Sequence, residues 1–219
     1  MDKVFYKPHV GKNYETNKFK DIRLLILGES HYCDGGCEIC GLRSNKDCSD
    51  FTTDVLNRYF NYKKGEGKYE RWMRTFTSFT NVILGGQVAN KTILDFWDSV
   101  IFYNYVQSCT IYSRISPTGQ QFRESEEAFF SVLKTYNPDL IIAWGKRLWQ
   151  NLPRNGRWGA EKILDNKFEG LYYFNVGEVE IPAFCVPHPS TRYFTYEYSK
   201  YFEEVFELIK SLKHNCYRI

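Results

Sequence analysis

The sequence predicts an α/β fold with a parallel sheet. Two apolar runs, 22–27 and Leu140–Trp144, do not alternate with polar residues, as expected of strands buried on both faces. Segments with helical apolar spacing lie between such runs, and strands alternating with helices build parallel sheets. Both runs end in a glycine followed by polar side chains. The carboxyl ends of strands are where open α/β sheets place their ligands.

The elements follow in order. Residues 1–20, polar and aromatic with Pro8 and Gly11, read as an irregular arm. The first strand covers 22–27, and 33–50 is a loop rich in Gly, Cys and Asp. Residues 53–61 read as a helix and 63–68 as a charged turn. In 69–84, Trp72, Phe76, Phe79 and Ile83 share one helical side before Gly85-Gly86 stops the helix. Residues 92–99 form a further helix, and 100–106, β-branched and aromatic, a strand. A loop holding Pro117 and Gly119 covers 111–122. The helix at 124–136 carries acids near its start, which suits the helix dipole. After the strand Leu140–Trp144, a helix begins at Lys146 and a basic loop covers 153–167. Segments 171–176 and Val179–Val186 form a hairpin turning at Gly177, and 195–212 is an amphipathic helix.

The chain's 219 residues suit one domain carrying a Cys-rich insertion at about 33–50. A net charge of +3 leaves a polyanion partner open without requiring one. Aromatic residues make up 18% of the chain; most of them serve packing, and a few suit base stacking. No run approaches the ~20 apolar residues that span a bilayer, and no signal peptide is visible. A cytoplasmic monomer with reduced thiols and no membrane partner is expected.

Three strand ends carry chemistry. The first ends in Gly28-Glu29-Ser30-His31-Tyr32, the second carries Asn104, and the last leads into His188-Pro189-Ser190. Parallel strands bring these ends to one rim, so an acid, a carboxamide and an imidazole converge there. The order strand-Gly-x-x-x-Tyr, Asn on a strand, Pro138-Asp139 before an apolar strand ending Trp144-Gly145-Lys146, then His188-Pro189-Ser190 resembles the uracil-DNA glycosylase superfamily over nearly the whole chain. The resemblance implies a three-layer α/β/α sandwich with a short, mainly parallel sheet. It also implies a monofunctional DNA glycosylase that uses no nucleotide cofactor. Such an enzyme flips a damaged or modified base from DNA and hydrolyses its N-glycosidic bond to leave an abasic site.

By that resemblance Asn104 binds the polar edge of the base, with Phe51 as its aromatic floor and Tyr32 beside it. His188 faces the departing base, Ser190 grips phosphate, and Arg192 adds a charged contact. The first motif departs from the best-known members. Ser30 stands where they keep a water-positioning Asp or Asn, Glu29 comes one place earlier, and His31 replaces a proline. Glu29 or His31 then orients the water, or Ser30 holds it more weakly. A degenerate site that binds DNA or a modified base without cutting is the alternative. Uracil is the default substrate; a modified pyrimidine, as in viral DNA, is the other candidate.

The spacing Cys33-x3-Cys37-x2-Cys40-x7-Cys48 places four thiols within 16 residues. Four thiolates on a Gly-rich loop suit a tetrahedral structural zinc, with an iron–sulfur cluster as the alternative. Cys109, Cys185 and Cys216 read as ordinary thiols. Lys146 and Arg157, the latter in a loop with Arg154, Trp158 and Lys162, are candidate phosphate contacts.

Overall fold

The computed structural model describes residues 3–16, 18–33, 46–110, 115–164 and 170–216, with side chains for all of these except 46, 47, 215 and 216. Cys37 and Cys40 lie outside the described residues.

Among the described residues seven strands form one mixed sheet: β1 (His9–Val10), β2 (Leu24–Gly28), β3 (Ile101–Asn104), β4 (Leu140–Trp144), β5 (Arg157–Trp158), β6 (Tyr172–Val176) and β7 (Val179–Val186), in the order β1-β3-β2-β4-β7-β6-β5. The central pairings β3/β2, β2/β4 and β4/β7 are parallel. The pairings toward the edges, β1/β3, β7/β6 and β6/β5, are antiparallel. Every residue of β2, β3 and β4 is buried, as their unbroken apolar runs require. Because β2, β3 and β7 run in the same sense, their carboxyl ends share one rim, with Gly28 paired to Asn104 and Trp144 to Val186.

The helices are α1 (Phe51–Lys64), α2 (Met73–Ile83), α3 (Asn90–Trp97), α4 (Gly119–Glu124), α5 (Glu126–Tyr136), α6 (Lys146–Asn151) and α7 (Glu197–Cys216). Leu24, Ile26, Phe102 and Trp144 of the strands pack with Phe76 and Phe79 of α2, Trp97 of α3 and Phe202 of α7. The alternate strand residues Leu25, Leu27, Tyr103 and Ile141 pack with Phe129 and Val132 of α5 and Leu148 of α6. Phe79 stands tilted to Trp144 and Trp97, with centroids 4.8 and 6.4 Å apart, so aromatic burial dominates the first cluster.

Three local features depart from the sequence reading. A helix starts at Gly119 inside the expected loop, because Thr118 and Gln121 close a reciprocal capping box. The expected helix at 124–136 begins at Glu126, and Ser125 joins it to that short helix. The arm contributes β1, and the basic loop contributes β5; each two-residue strand exists only through pairing with a longer neighbour. Asp139, before β4, accepts from the Arg23 backbone N–H at 2.7 Å and from Lys213 Nζ at 2.8 Å, tying the amino ends of β2 and β4 to the last turn of α7.

Candidate functional site

Gly28 ends β2 beside Asn104 because nothing larger fits. A Cβ at residue 28 would lie 2.2 Å from Asn104 Oδ1 and 2.9 Å from Phe102 Cζ. Asn104 is 8% exposed, and its amide nitrogen stands 3.2 Å from both ring nitrogens of His31. His31 Nε2 is 2.9 Å from Thr52 Oγ1 of α1. The imidazole is enclosed by Tyr6 and Phe51, each with its ring centroid 4.8 Å away. Burial pushes the His31 pKa down to about 3, so the ring is neutral at physiological pH. His31 thus lies beneath Asn104 as its support, while Phe51 packs on the far element of the same stack.

Glu29 follows at the rim, its side chain 14% exposed. Arg147, in the first turn of α6, donates from Nε at 2.7 Å and from Nη2 to the two Glu29 oxygens, and from Nη1 to Ser116 Oγ. A bidentate guanidinium fixes the carboxylate plane and leaves the outer lone pairs of both oxygens for another donor. Ser30 is half-buried beside it, and Tyr32, 42% exposed, bridges to Thr110.

His188 leaves the end of β7. Gly145, at φ +97, brings the end of β4 so close that a Cβ there would touch His188 Cβ at 3.4 Å. The Ser190 backbone N–H donates to His188 Nδ1 at 3.3 Å, and Ser190 Oγ lies 2.8 Å from the same nitrogen. A nitrogen that accepts a backbone N–H carries no proton, which leaves Nε2 as the N–H donor of a neutral ring. Burial lowers the His188 pKa below the ordinary value; the Glu29 charge opposes this and the Arg147 charge adds to it. Trp144 packs edge-on at 6.1 Å.

The structure brings Glu29, Ser30, Asn104 and His188 to one rim, with His31 enclosed beneath Asn104 rather than facing it and Ser190 engaged in orienting His188. Arg192 is exposed, its guanidinium 5.1 Å from the Tyr193 ring. Lys146 is exposed at the start of α6. Arg157 lies on the opposite edge strand, donating to both oxygens of Glu180 at 2.8 and 2.7 Å.

Sequence reasoning passed over Arg147 in favour of its neighbour Lys146. One signal was present: α6 opens with two cations and has no acid in its first turn. Cations at the positive end of a helix are unfavourable unless an anion holds them, and Glu29 does so. We expect Arg147→Ala to leave the fold intact and to lower any reaction supported at this rim about 10- to 100-fold, because a loosened Glu29 no longer holds its geometry. Single-turnover rates read beside thermal melting check this.

Cys33 and Cys48 are half-buried and pack with Tyr6, Cys109 and Phe51 in a small cluster apart from the two main ones. Among the described residues no group of three or more His, Cys, Asp or Glu side chains could hold a metal ion. The cysteines supply soft donors of the kind zinc or an iron–sulfur cluster takes. Also among the described residues, no helix is long and apolar enough to cross a membrane. No protein-family model matches the chain, and no curated protein matches it either.

Proposed function

We propose that the chain is a DNA glycosylase of the uracil-DNA glycosylase type, acting on uracil or a modified pyrimidine flipped out of DNA. The observation that carries this reading is the meeting of a buried carboxamide, a neutral imidazole with a free Nε2–H, and a clamped carboxylate at one sheet rim. The two core clusters on alternate strand residues support a three-layer α/β/α arrangement around the parallel centre of the sheet.

The chemistry follows from these groups. Breaking the N-glycosidic bond sends its electron pair into the base and leaves cationic character on the sugar. The His188 Nε2–H donates to the base oxygen where negative charge develops, in a site already built to hold that donor. Asn104 offers both a donor and an acceptor to the base edge once a base displaces its contact with the His31 ring. Glu29 faces the sugar cation with a fixed negative charge and orients water toward the anomeric carbon. The water's proton passes to solvent or to the departing base. A thiolate-bound structural metal, zinc in preference to an iron–sulfur cluster, belongs to the same reading and anchors the loop beside this rim.

The test is abasic-site formation by the full chain on oligonucleotides containing uracil, other deaminated bases or hypermodified cytosines. The expected result is an abasic product that falls about 100- to 1,000-fold in His188→Ala, the loss typical of removing one preorganised donor to a developing anion. DNA binding with no abasic product on any of these substrates overturns the enzyme and leaves a binding protein.

A further inference from the structure

We propose that Cys33 and Cys109 form a redox-active pair, a modification site at which a peroxide closes a reversible disulfide between the segment after β2 and the segment after β3. The proposal is independent of glycosylase activity.

Three observations carry it. The Cys33 and Cys109 Sγ atoms stand 3.2 Å apart although the residues are 76 apart in sequence, and both are free thiols in this structure. The sulfurs need to close by only about 1 Å to reach the disulfide bond length of about 2.05 Å. Second, the backbone holds the two segments together. The Cys33 N–H donates to Thr110 O at 3.1 Å, the Thr110 N–H donates to His31 O at 2.9 Å, and Tyr32 bridges Thr110 in parallel. Two residues before Cys109 the segment is pinned again: Gln107 Oε1 accepts from the Phe5 and Tyr6 N–H groups, and the Gln107 N–H donates to Ser125 Oγ at 2.9 Å. Third, the two thiols differ in access. Cys109 is 7% exposed, with its Sγ 2.7 Å from the hydroxyl of fully buried Tyr6, whereas Cys33 is half-buried. An oxidant therefore meets Cys33 first and finds a second sulfur already beside it, the arrangement of a sensing cysteine next to a resolving one.

The Cys33 sulfur attacks one oxygen of hydrogen peroxide, the O–O bond breaks, and the second oxygen leaves as water with the thiol proton. Cys33 is then a sulfenic acid, oxidised by two electrons. The Cys109 sulfur attacks the Cys33 sulfur; the S–S bond forms, the S–O bond breaks, and the hydroxide departs as water with the Cys109 proton. Two thiols and one peroxide give one disulfide and two waters. A dithiol reductant reverses the change by exchange and becomes a disulfide itself. The bond closes a loop across 76 positions and ties the segment carrying Glu29 and His31 to the one that follows Asn104. Closing so long a loop restricts the unfolded chain, so the oxidised form melts higher. The disulfide and a metal bound through Cys33 are mutually exclusive states of one sulfur.

The experiment treats the full chain with a small excess of hydrogen peroxide and maps its unreduced peptides by mass spectrometry. The expected result is the loss of two hydrogens from the intact mass, a cross-linked Cys33–Cys109 peptide, and return to the starting mass with dithiothreitol. The oxidised form should melt about 5–10 °C higher. Cys33→Ser and Cys109→Ser should each abolish the cross-link and the shift in melting, and Cys185→Ser neither. If either of the first two variants fails to fold, the peptide map of the unmodified chain decides. The proposal is overturned if peroxide leaves Cys109 a free thiol on alkylation of the denatured chain, joins Cys33 to a cysteine of its own loop, or drives Cys33 to the sulfinic acid without a cross-link. A cross-link that dithiothreitol does not open, or that leaves the melting temperature unchanged, overturns it as well.

Discussion

For the proposed glycosylase, Gly28→Ala is expected to lower base release about 100-fold or more, nearly matching Asn104→Ala, while the chain stays folded. The added methyl would meet Asn104 Oδ1 at 2.2 Å and Phe102 Cζ at 2.9 Å. Phe102 sits in a packed aromatic cluster, with Phe76 and Trp144 centroids 5.3 and 5.2 Å away, so the amide yields first. Overpacking of this kind costs about 1–3 kcal/mol, which a stable domain absorbs. A displaced carboxamide no longer presents its donor and acceptor to a base edge. Single-turnover abasic-site formation and thermal melting measure the two effects separately. The double variant Gly28→Ala/Asn104→Ala should be no slower than Asn104→Ala alone, since both changes act through one amide. Wild-type rates in Gly28→Ala would show that the Asn104 amide does not read the base.

Acidification from pH 7 to pH 5 is expected to destabilise the fold by about 4 kcal/mol through two buried imidazoles. Burial lowers His31 to about 3 and His9 to about 4, the latter against an opposing pull from Asp98. Both are ordinary histidines near 6.5 in the unfolded chain. Between these values the unfolded state binds more protons than the folded state, so stability falls as pH falls below about 6.5. At 1.36 kcal/mol per pH unit, each ring contributes about 2 kcal/mol of this loss by pH 5. His188, also lowered by burial, acts in the same direction. Urea denaturation at both pH values measures the total. Replacing His31 by Phe should reduce the pH dependence by about half, whatever it does to absolute stability. A stability that stays flat to pH 5 would mean that these rings protonate within the fold at little cost.

The parts of the molecule legible in sequence are those whose signal is local. The unbroken apolar runs around Leu25 and Ile142 gave central strands because burial on both faces forbids alternation. The helix of 69–84 was readable from the one-sided spacing of Phe76 and Phe79. Parallel direction then carried Gly28, Asn104 and His188 to one rim without further information. What sequence did not show arises from tertiary pairing. Strands β1 and β5 have two residues each and borrow their conformation from β3 and β6. His31 stands next to Glu29 in sequence, yet one is enclosed and the other faces the rim. Arg147 acquires its role only when α6 is placed across from β2. Cys109 looked like an ordinary thiol because its partner is 76 residues away.

The amino-terminal arm has a consequence for the order in which the chain is assembled. Phe5 and Tyr6 donate their backbone N–H groups to Gln107 Oε1, both at 2.9 Å, and the Tyr6 ring closes over His31 and Cys109. These two residues therefore have their partner about a hundred positions later. During synthesis the arm stays undocked until β3 and its following segment emerge, and loop-closure entropy makes it a late contact in refolding as well. The floor beneath Asn104 is completed by a segment that must wait about a hundred residues for its partner. The candidate site is thus expected to close late in folding rather than to nucleate it.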